Sequence, residues 1–373
     1  MMHRQLISFA SKSTDFRMGY HALGSLPKLF SNVVATPKRA ILVVDESYMD
    51  RQGVEARRAL IDAGFTVSDL ALPAHEHIAT MEMALRVYEA LSSGGITHDD
   101  LVVGLGPSEL CALVAYCART WCDETPYALL PTTLDAMVSV ATKMVPLDLG
   151  SSRAMVSVPA HAALVVCDFS LLGEADDDSF HLGLVEMLIS SLIDGRKSWD
   201  RFSELIPLLL DLDEAALAEA LGMSQTARAF VVNSNNPSTR NSLEYGVTTA
   251  RALRSALGED DIPWYRLLAA GISFEGRMAH DACGFSVDDV FEQDDRLQDM
   301  GIPELGFDLS DEAFLQALRR TRLSRSNRFM FSLPRHPGTI RYTNVEDEVL
   351  ERHVRAFLSS RAELLDSDSD ADV

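Results

Sequence analysis

The chain has 373 residues, 47% of them hydrophobic, with 55 acidic against 33 basic side chains, a net charge of −22 and a pI near 4.8. That length suits two domains or one large one with a full core. The acidic balance argues against nucleic acid and against an anionic membrane surface, both of which need cationic patches, and leaves small molecules or proteins as partners.

Five cysteines (Cys111, Cys117, Cys122, Cys167, Cys283) lack metal-site spacing. No apolar leader opens the chain and no run of eighteen apolar residues occurs, so the expectation is a cytoplasmic protein with reduced thiols and no membrane span.

In chain order, an edge hairpin (6–9 and 15–20) and a helix (22–30) precede the apolar run 39–45, which ends in Asp45. A buried parallel strand reads this way when it delivers a polar group at its carboxyl end. A helix (52–63), Gly64 and a second strand (66–72) complete one βαβ unit. After the segment Pro73-Ala74-His75-Glu76, a helix closes at Gly94-Gly95, and the strand 101–103 runs through Gly104-Leu105-Gly106-Pro107-Ser108 onto the helix 109–120. Glycines opening onto a helix N-terminus are a common phosphate loop. A buried strand from Pro126 leads to Pro131-Thr132-Thr133, where the hydroxyls serve either a ligand or the cap of the next helix.

The run 162–167 ends at Asp168, after which long helical stretches take over: 181–194, 197–211, 213–234, 240–257, 262–281, 286–299 and 310–320. A late hairpin pairs 329–333 with 338–342, and the alternating Asp and Ser of 363–373 predict a disordered acidic tail. The expected domains are therefore 1–175, 176–362 and that tail. Glu186 sits among apolar residues and needs a partner, for which Arg240 or Arg251 would serve as a structural ion pair. His75, His77 and His161 fall in loops, as acid/base groups or as incidental residues. The arginine-rich run 319–328 stands out in so acidic a chain.

The order LLPTTLDAMVSVATK, RAMVSVPAHAALVVCDFSLL, HLGLVEMLISSLID resembles the 3-dehydroquinate synthase family and its sugar phosphate cyclase relatives, over about residues 5–345. The resemblance implies an α/β Rossmann-like N-terminal domain, an all-helical C-terminal domain, NAD, a divalent metal and a homodimer. On the cofactor side it points to Asp45, Glu76, Gly104, Gly106, Thr132 and Thr133. The family's lysine is Ala79 here, its loop aspartate is Leu110, and Leu105 puts a side chain where backbone should approach a pyrophosphate.

On the metal side Glu186 matches the family's glutamate, but the two histidine elements read Gly246-Val247-Thr248 and Ala269-Ala270-Gly271. Valine and alanine have no lone pair to give, so no metal is expected, unless Glu275, His280 and Asp281 rebuild a site. On the substrate side Lys143, Arg153, Arg240 and Arg251 make an anion pocket between the halves, with Glu244 where the family has asparagine.

The functional expectation is a divergent, metal-independent enzyme of a specialised biosynthetic pathway. It would act on a small phosphate or carboxylate by cyclisation or elimination through Glu186, Arg240, Lys143, Arg153 and Arg251. The alternatives are a non-catalytic paralogue that binds a metabolite or partner protein, and an NAD-dependent cyclase with a rebuilt metal site.

Overall fold

The computed structural model describes residues 2–10, 12–36, 38–74, 77–142, 145–150, 152–159, 161–258 and 262–371. His75, Glu76 and Lys143 lie outside them. The chain forms two compact units, Met1–Gly183 with Glu214–Gln225, and Leu184–Asp213 with Thr226–Val373.

The first unit holds β1 (His3–Ser8), β2 (Ser13–Gly19), α1 (Leu26–Phe30), β3 (Arg39–Asp45), α2 (Val54–Asp62), β4 (Thr66–Leu72), α3 (Met81–Ser93), β5 (Leu101–Gly106), α4 (Ser108–Thr120), β6 (Tyr127–Pro131), α5 (Leu134–Ser139), β7 (Val145–Leu149), β8 (Ser152–Val158) and β9 (Leu164–Asp168). Seven strands form one sheet in the order β1-β2-β9-β6-β5-β3-β4, parallel except for the β1–β2 hairpin at its edge. Strands covered on both faces need apolar side chains throughout, and β5, β6 and β9 are buried at every residue. One face packs Val44, Val103, Leu105, Leu130 and Val166 against Leu26, Phe30 and Leu60. Burying each such side chain contributes about 1.5–3 kcal/mol.

Asp168 ends β9 with its carboxylate accepting from the backbone of His21 (2.9 Å), Leu23 (3.0 Å) and Ser170 (3.0 Å), so this strand-end acid organises the turn after β2. The β7–β8 hairpin, outside the main sheet, was not expected. Pro146, Gly150 and a half-exposed alternation hide it from a search for buried strands.

The helical part begins with α6 (Asp177–Asp194), α7 (Arg196–Leu210) and α8 (Glu214–Asn233), of which α6 and α8 cross the boundary between units. It continues with α9 (Pro237–Arg240), α10 (Val247–Leu257), α11 (Trp264–Cys283), α12 (Val287–Asp299), α13 (Asp311–Leu323), the hairpin β10 (Phe331–His336) and β11 (Thr339–Thr343), and α14 (Asp347–Ala371). The single helix expected over 240–257 is broken, because Gly246 takes φ +78°, a left-handed conformation that no helix continues through. There α10 and α11 cross at two glycines: a Cβ on Gly271 would stand 2.2 Å from the Gly246 carbonyl oxygen.

α14 was also missed. It buries Leu350, Val354, Phe357, Leu358 and Arg361 at helical spacing and continues to Ala371, into the segment whose composition suggested disorder.

Candidate functional site

In the first unit the carboxyl ends of β3, β5 and β6 bring together Asp45, Gly106 and Thr132. Asp45 is 5% exposed and accepts the Ser47 N–H at 2.9 Å. Gly106 pairs in register with Pro131, and the Thr132 N–H donates to the Gly106 carbonyl at 3.1 Å. A Cβ on Gly104 would lie 3.1 Å from the Val114 side chain, and one on Gly106 3.0 Å from Leu110 Cδ1 and 3.2 Å from Asp45 Cβ. The two glycines thus let α4 lie close on the sheet.

Leu105 corrects an expectation. Its side chain obstructs nothing at the loop, because the strand continues through Gly106 and successive side chains alternate faces, sending Leu105 into the core at 0% exposure. Thr132 Oγ1 is buried with no hydrogen-bond partner, the Tyr48 phenol standing near it outside bonding geometry. Burial raises that phenol's pKa. Thr133 takes the N-cap position of α5 and donates its hydroxyl to the buried Asp135 carboxylate at 2.5 Å. An orphaned hydroxyl beside strand-end glycines and a helix N-terminus fits a dinucleotide, although Leu110 already fills the space beside Gly106.

Next to this edge His77 bridges two carboxylates, Nδ1 at 2.7 Å from Glu109 and Nε2 at 2.9 Å from Asp148. Glu109, in the first turn of α4, also accepts the Ile78 N–H at 2.9 Å. Asp148 in β7 also binds Arg153 at 3.0 Å and the Ala154 N–H. Burial lowers the His77 pKa, but the contacts with Glu109 and Asp148 outweigh it and hold the imidazole above its ordinary value. Burial opposes ionisation of Asp148, and the Ala154, His77 and Arg153 hydrogen bonds outweigh that and hold its carboxyl below the usual range. Arg153, expected to hold substrate, is mostly exposed and bound into this cluster. His161 is half-buried and stacks on Phe9 at 3.9 Å, its pKa lowered by burial.

In the second unit Glu186 of α6 meets Arg228 of α8 at 3.6 Å. This corrects the expected partner: neither Arg240 nor Arg251 takes that place. Arg240 ends α9 exposed to solvent, and Arg251 pairs with Glu244 at 3.2 Å. Glu244, which stands where the family has asparagine, is therefore the partner of Arg251. Arg228 was missed, and its signal was a lone charge on the apolar face of α8 beside Ala227 and Val231. Burial lowers its pKa, an effect that Glu186 opposes.

Glu275 is fully buried and accepts from the Gly246 N–H (2.7 Å), the Thr249 N–H (3.2 Å) and the Thr249 hydroxyl (2.7 Å) at the start of α10. Burial pushes its pKa up to about 7 in spite of those bonds. His280 faces the Phe285 carbonyl at 2.7 Å, and Asp281 pairs with Arg352 and His353. Glu275, His280 and Asp281 therefore do not converge, and among the described residues no three His, Cys, Asp or Glu side chains gather as a metal would need. With a guanidinium against Glu186 and no cluster of three such donors among the described residues, the residues described do not fit a divalent cation there.

Of the basic run, Arg319 pairs with Asp347 at 2.9 Å, while Arg322 is buried, lies 5.1 Å over the Tyr342 ring and donates to its hydroxyl. Arg322 Nε has no hydrogen-bond partner, and burial lowers the guanidinium pKa against the fields of Glu244 and Glu275.

Comparison with known proteins places this geometry. The family described as 3-dehydroquinate synthase N-terminal matches residues 69–181. The 3-dehydroquinate synthase of Thermoanaerobacter sp. (strain X514) is 24% identical over 357 residues, 92% of this chain and 98% of its own length. The 2-epi-5-epi-valiolone synthase of Streptomyces hygroscopicus subsp. jinggangensis, solved with NAD+ and Zn2+ bound, superposes with a TM-score of 0.78 over 96% of this chain and 99% of its own at 18% identity. A 2-deoxy-scyllo-inosose synthase complexed with carbaglucose-6-phosphate, NAD+ and Co2+ gives 0.76 over 95% and 100% at 15% identity. Residues 69–181 thus match the 3-dehydroquinate synthase N-terminal family, the chain is similar to 3-dehydroquinate synthases along nearly its whole length, and it shares the fold of the sugar phosphate cyclases.

Proposed function

We infer that the chain is a divergent enzyme of this family, of a specialised biosynthetic pathway, acting on a small phosphate- or carboxylate-bearing substrate by elimination or cyclisation without a divalent cation. The observation that carries this reading is Arg322, a buried guanidinium with no carboxylate within ion-pair distance among the described residues and with an unpartnered Nε. A buried charge costs stability unless something neutralises it, and an anionic substrate would. Arg251, whose field reaches Arg322, is the second cation of this reading. The Glu186 carboxylate, beside Arg228, takes up the proton that leaves carbon as the phosphate departs with the C–O bonding pair.

Asp45, Gly104, Gly106, Thr132 and Thr133 would hold NAD in the first unit, Thr132 with its unused hydroxyl. NAD supplies reversible oxidation of a substrate alcohol. The ion pairs Glu186–Arg228 and Glu244–Arg251 favour a second reading, a non-catalytic paralogue whose former site residues neutralise one another.

The test is phosphate release from a panel of sugar phosphates, with mass spectrometry of the organic product, on the chain with and without NAD. Turnover by the wild type, reduced at least about tenfold in Arg322→Met with the melting temperature kept, is the expected result. No turnover and no bound anion across the panel overturns it in favour of the paralogue.

A further inference from the structure

We propose that Arg228 is the resident cation of the Glu186 site: a guanidinium built into α8 holds the place of a divalent metal, and the site is closed to metal. This rests on reading the chain as a member of the family that has lost the metal.

Three observations carry it. Glu186 and Arg228 lie 3.6 Å apart, with side chains 14% and 4% exposed, so each is the other's neighbour inside the unit and not across solvent. Around them α6 contributes Val185, Leu188 and Ile189, and α8 contributes Ala227 and Val231, all buried. In such surroundings neither charge is tolerated without the other.

A dication bound to Glu186 would sit within a few ångströms of the guanidinium, where like charges repel strongly in a medium of low polarisability. Moving Arg228 aside would instead break its 3.6 Å ion pair with Glu186 inside the unit. The remaining acids and imidazole near the lost histidine positions are committed elsewhere: Glu275 to Gly246 and Thr249, His280 to Phe285, and Asp281 to Arg352 and His353. Zinc affinity comes from several donors converging on one point, and among the described residues no three His, Cys, Asp or Glu side chains do so, while Glu186 faces an arginine.

The pair also explains why Glu186 persists without metal partners. Neutralising Arg228 gives the Glu186 carboxylate a role in the fold in addition to the one it has toward substrate.

Two measurements on the full chain test this. In the first, wild type and Glu186→Gln are incubated with excess zinc or cobalt, desalted and analysed for metal. Both should retain the same amount, well under one equivalent, and chelator should leave the wild-type melting temperature unchanged. One equivalent in the wild type that disappears in Glu186→Gln overturns the proposal. In the second, melting temperatures are compared for Arg228→Met, Glu186→Leu and the double variant. Arg228→Met should lose several degrees or fail to fold, and adding Glu186→Leu should recover much of the loss, because the stranded charge goes with it. A double variant whose loss equals the sum of the two singles overturns the pair. Neither readout involves turnover, so an inactive chain can satisfy both, and an active chain with additive single variants fails here alone.

Discussion

Glu275 shows what a single buried carboxyl does to this molecule. It closes the start of α10 by accepting two backbone N–H groups and a hydroxyl, and burial raises its pKa from 4.5 to about 7. The charged groups facing it are Glu244, which adds to the rise, and Arg322. A carboxyl that binds its proton more tightly folded than unfolded contributes stability that is complete below 4.5 and is lost as the pH rises through about 7. The loss amounts to about 3 kcal/mol at most, at about 1.4 kcal/mol per pH unit. Glu275→Gln should remove this slope, so the difference between wild-type and variant unfolding free energies, measured in urea across that window, falls as pH rises. A flat difference would mean that the carboxyl is not held as described. At this scale the sequence was only partly legible. Asp45, Gly106 and Thr132 could be singled out, and the fold brings them to neighbouring strand ends, because strand-end acids, glycines and hydroxyls have local signatures. Arg228 was not, because its partner lies 42 positions away, a separation that only the folded helices bring within 3.6 Å.

At the scale of elements, His77 ties three pieces of chain: its own loop, the first turn of α4 through Glu109, and the β7–β8 hairpin through Asp148. The loop also runs beside β7, the Asp148 N–H donating to the Ala79 carbonyl at 2.8 Å. Because the imidazole's folded pKa is raised, the tie is fully made below 6.5 and is released as the pH rises through the folded value. Above it, Glu109 and Asp148 are left with a neutral ring between them. His77 is 41% exposed, so solvent screening keeps the effect local. Amide exchange across 145–158, corrected for its intrinsic pH dependence and compared at one pH below 6.5 and one well above it, should become faster relative to the rest of the sheet at the higher pH, and His77→Gln should abolish that change. Equal protection at both pH values in the wild type would exclude the tie. The elements themselves followed the sequence where burial is two-sided. β3, buried from Ala40 to Asp45, occupies the residues expected for it, 39–45, and the half-exposed edge strand β4 also does so at 66–72, fixed by the βαβ unit that contains it. They failed where backbone conformation decided, as at Gly246, and where a strand is half-exposed, as in β7 and β8.

For the whole molecule, composition changes near residue 175, from buried strands to acidic helices, and a cut there looks natural from the sequence. The packing is arranged otherwise. The first compact unit includes Glu214–Gln225, the amino-terminal part of α8, which the chain reaches only after passing through α7 of the second unit. Those residues are fastened to the sheet unit at three places. Gln225 is fully buried and donates to the carbonyls of Met137 (3.2 Å) and Val138 (2.8 Å) in α5. Gln5 of β1 donates to the Gly222 carbonyl at 3.2 Å, and the Tyr20 N–H reaches Glu214 at 3.4 Å. A fragment ending at 175 loses the apolar cover of Leu217 and Leu221 together with the partners of the α5 carbonyls, and buried polar groups left unpaired cost about 1–3 kcal/mol each. It also loses Gly183, which lies so close to α5 that a Cβ there would stand 2.5 Å from Leu134 Cγ. Residues 1–175 expressed alone should therefore lack the near-ultraviolet circular dichroism and the cooperative melting of a packed domain, while the full chain shows both. A fragment that melts as sharply as the full chain would show instead that α8 only decorates a sheet able to stand without it, and that the compositional boundary is the folding boundary.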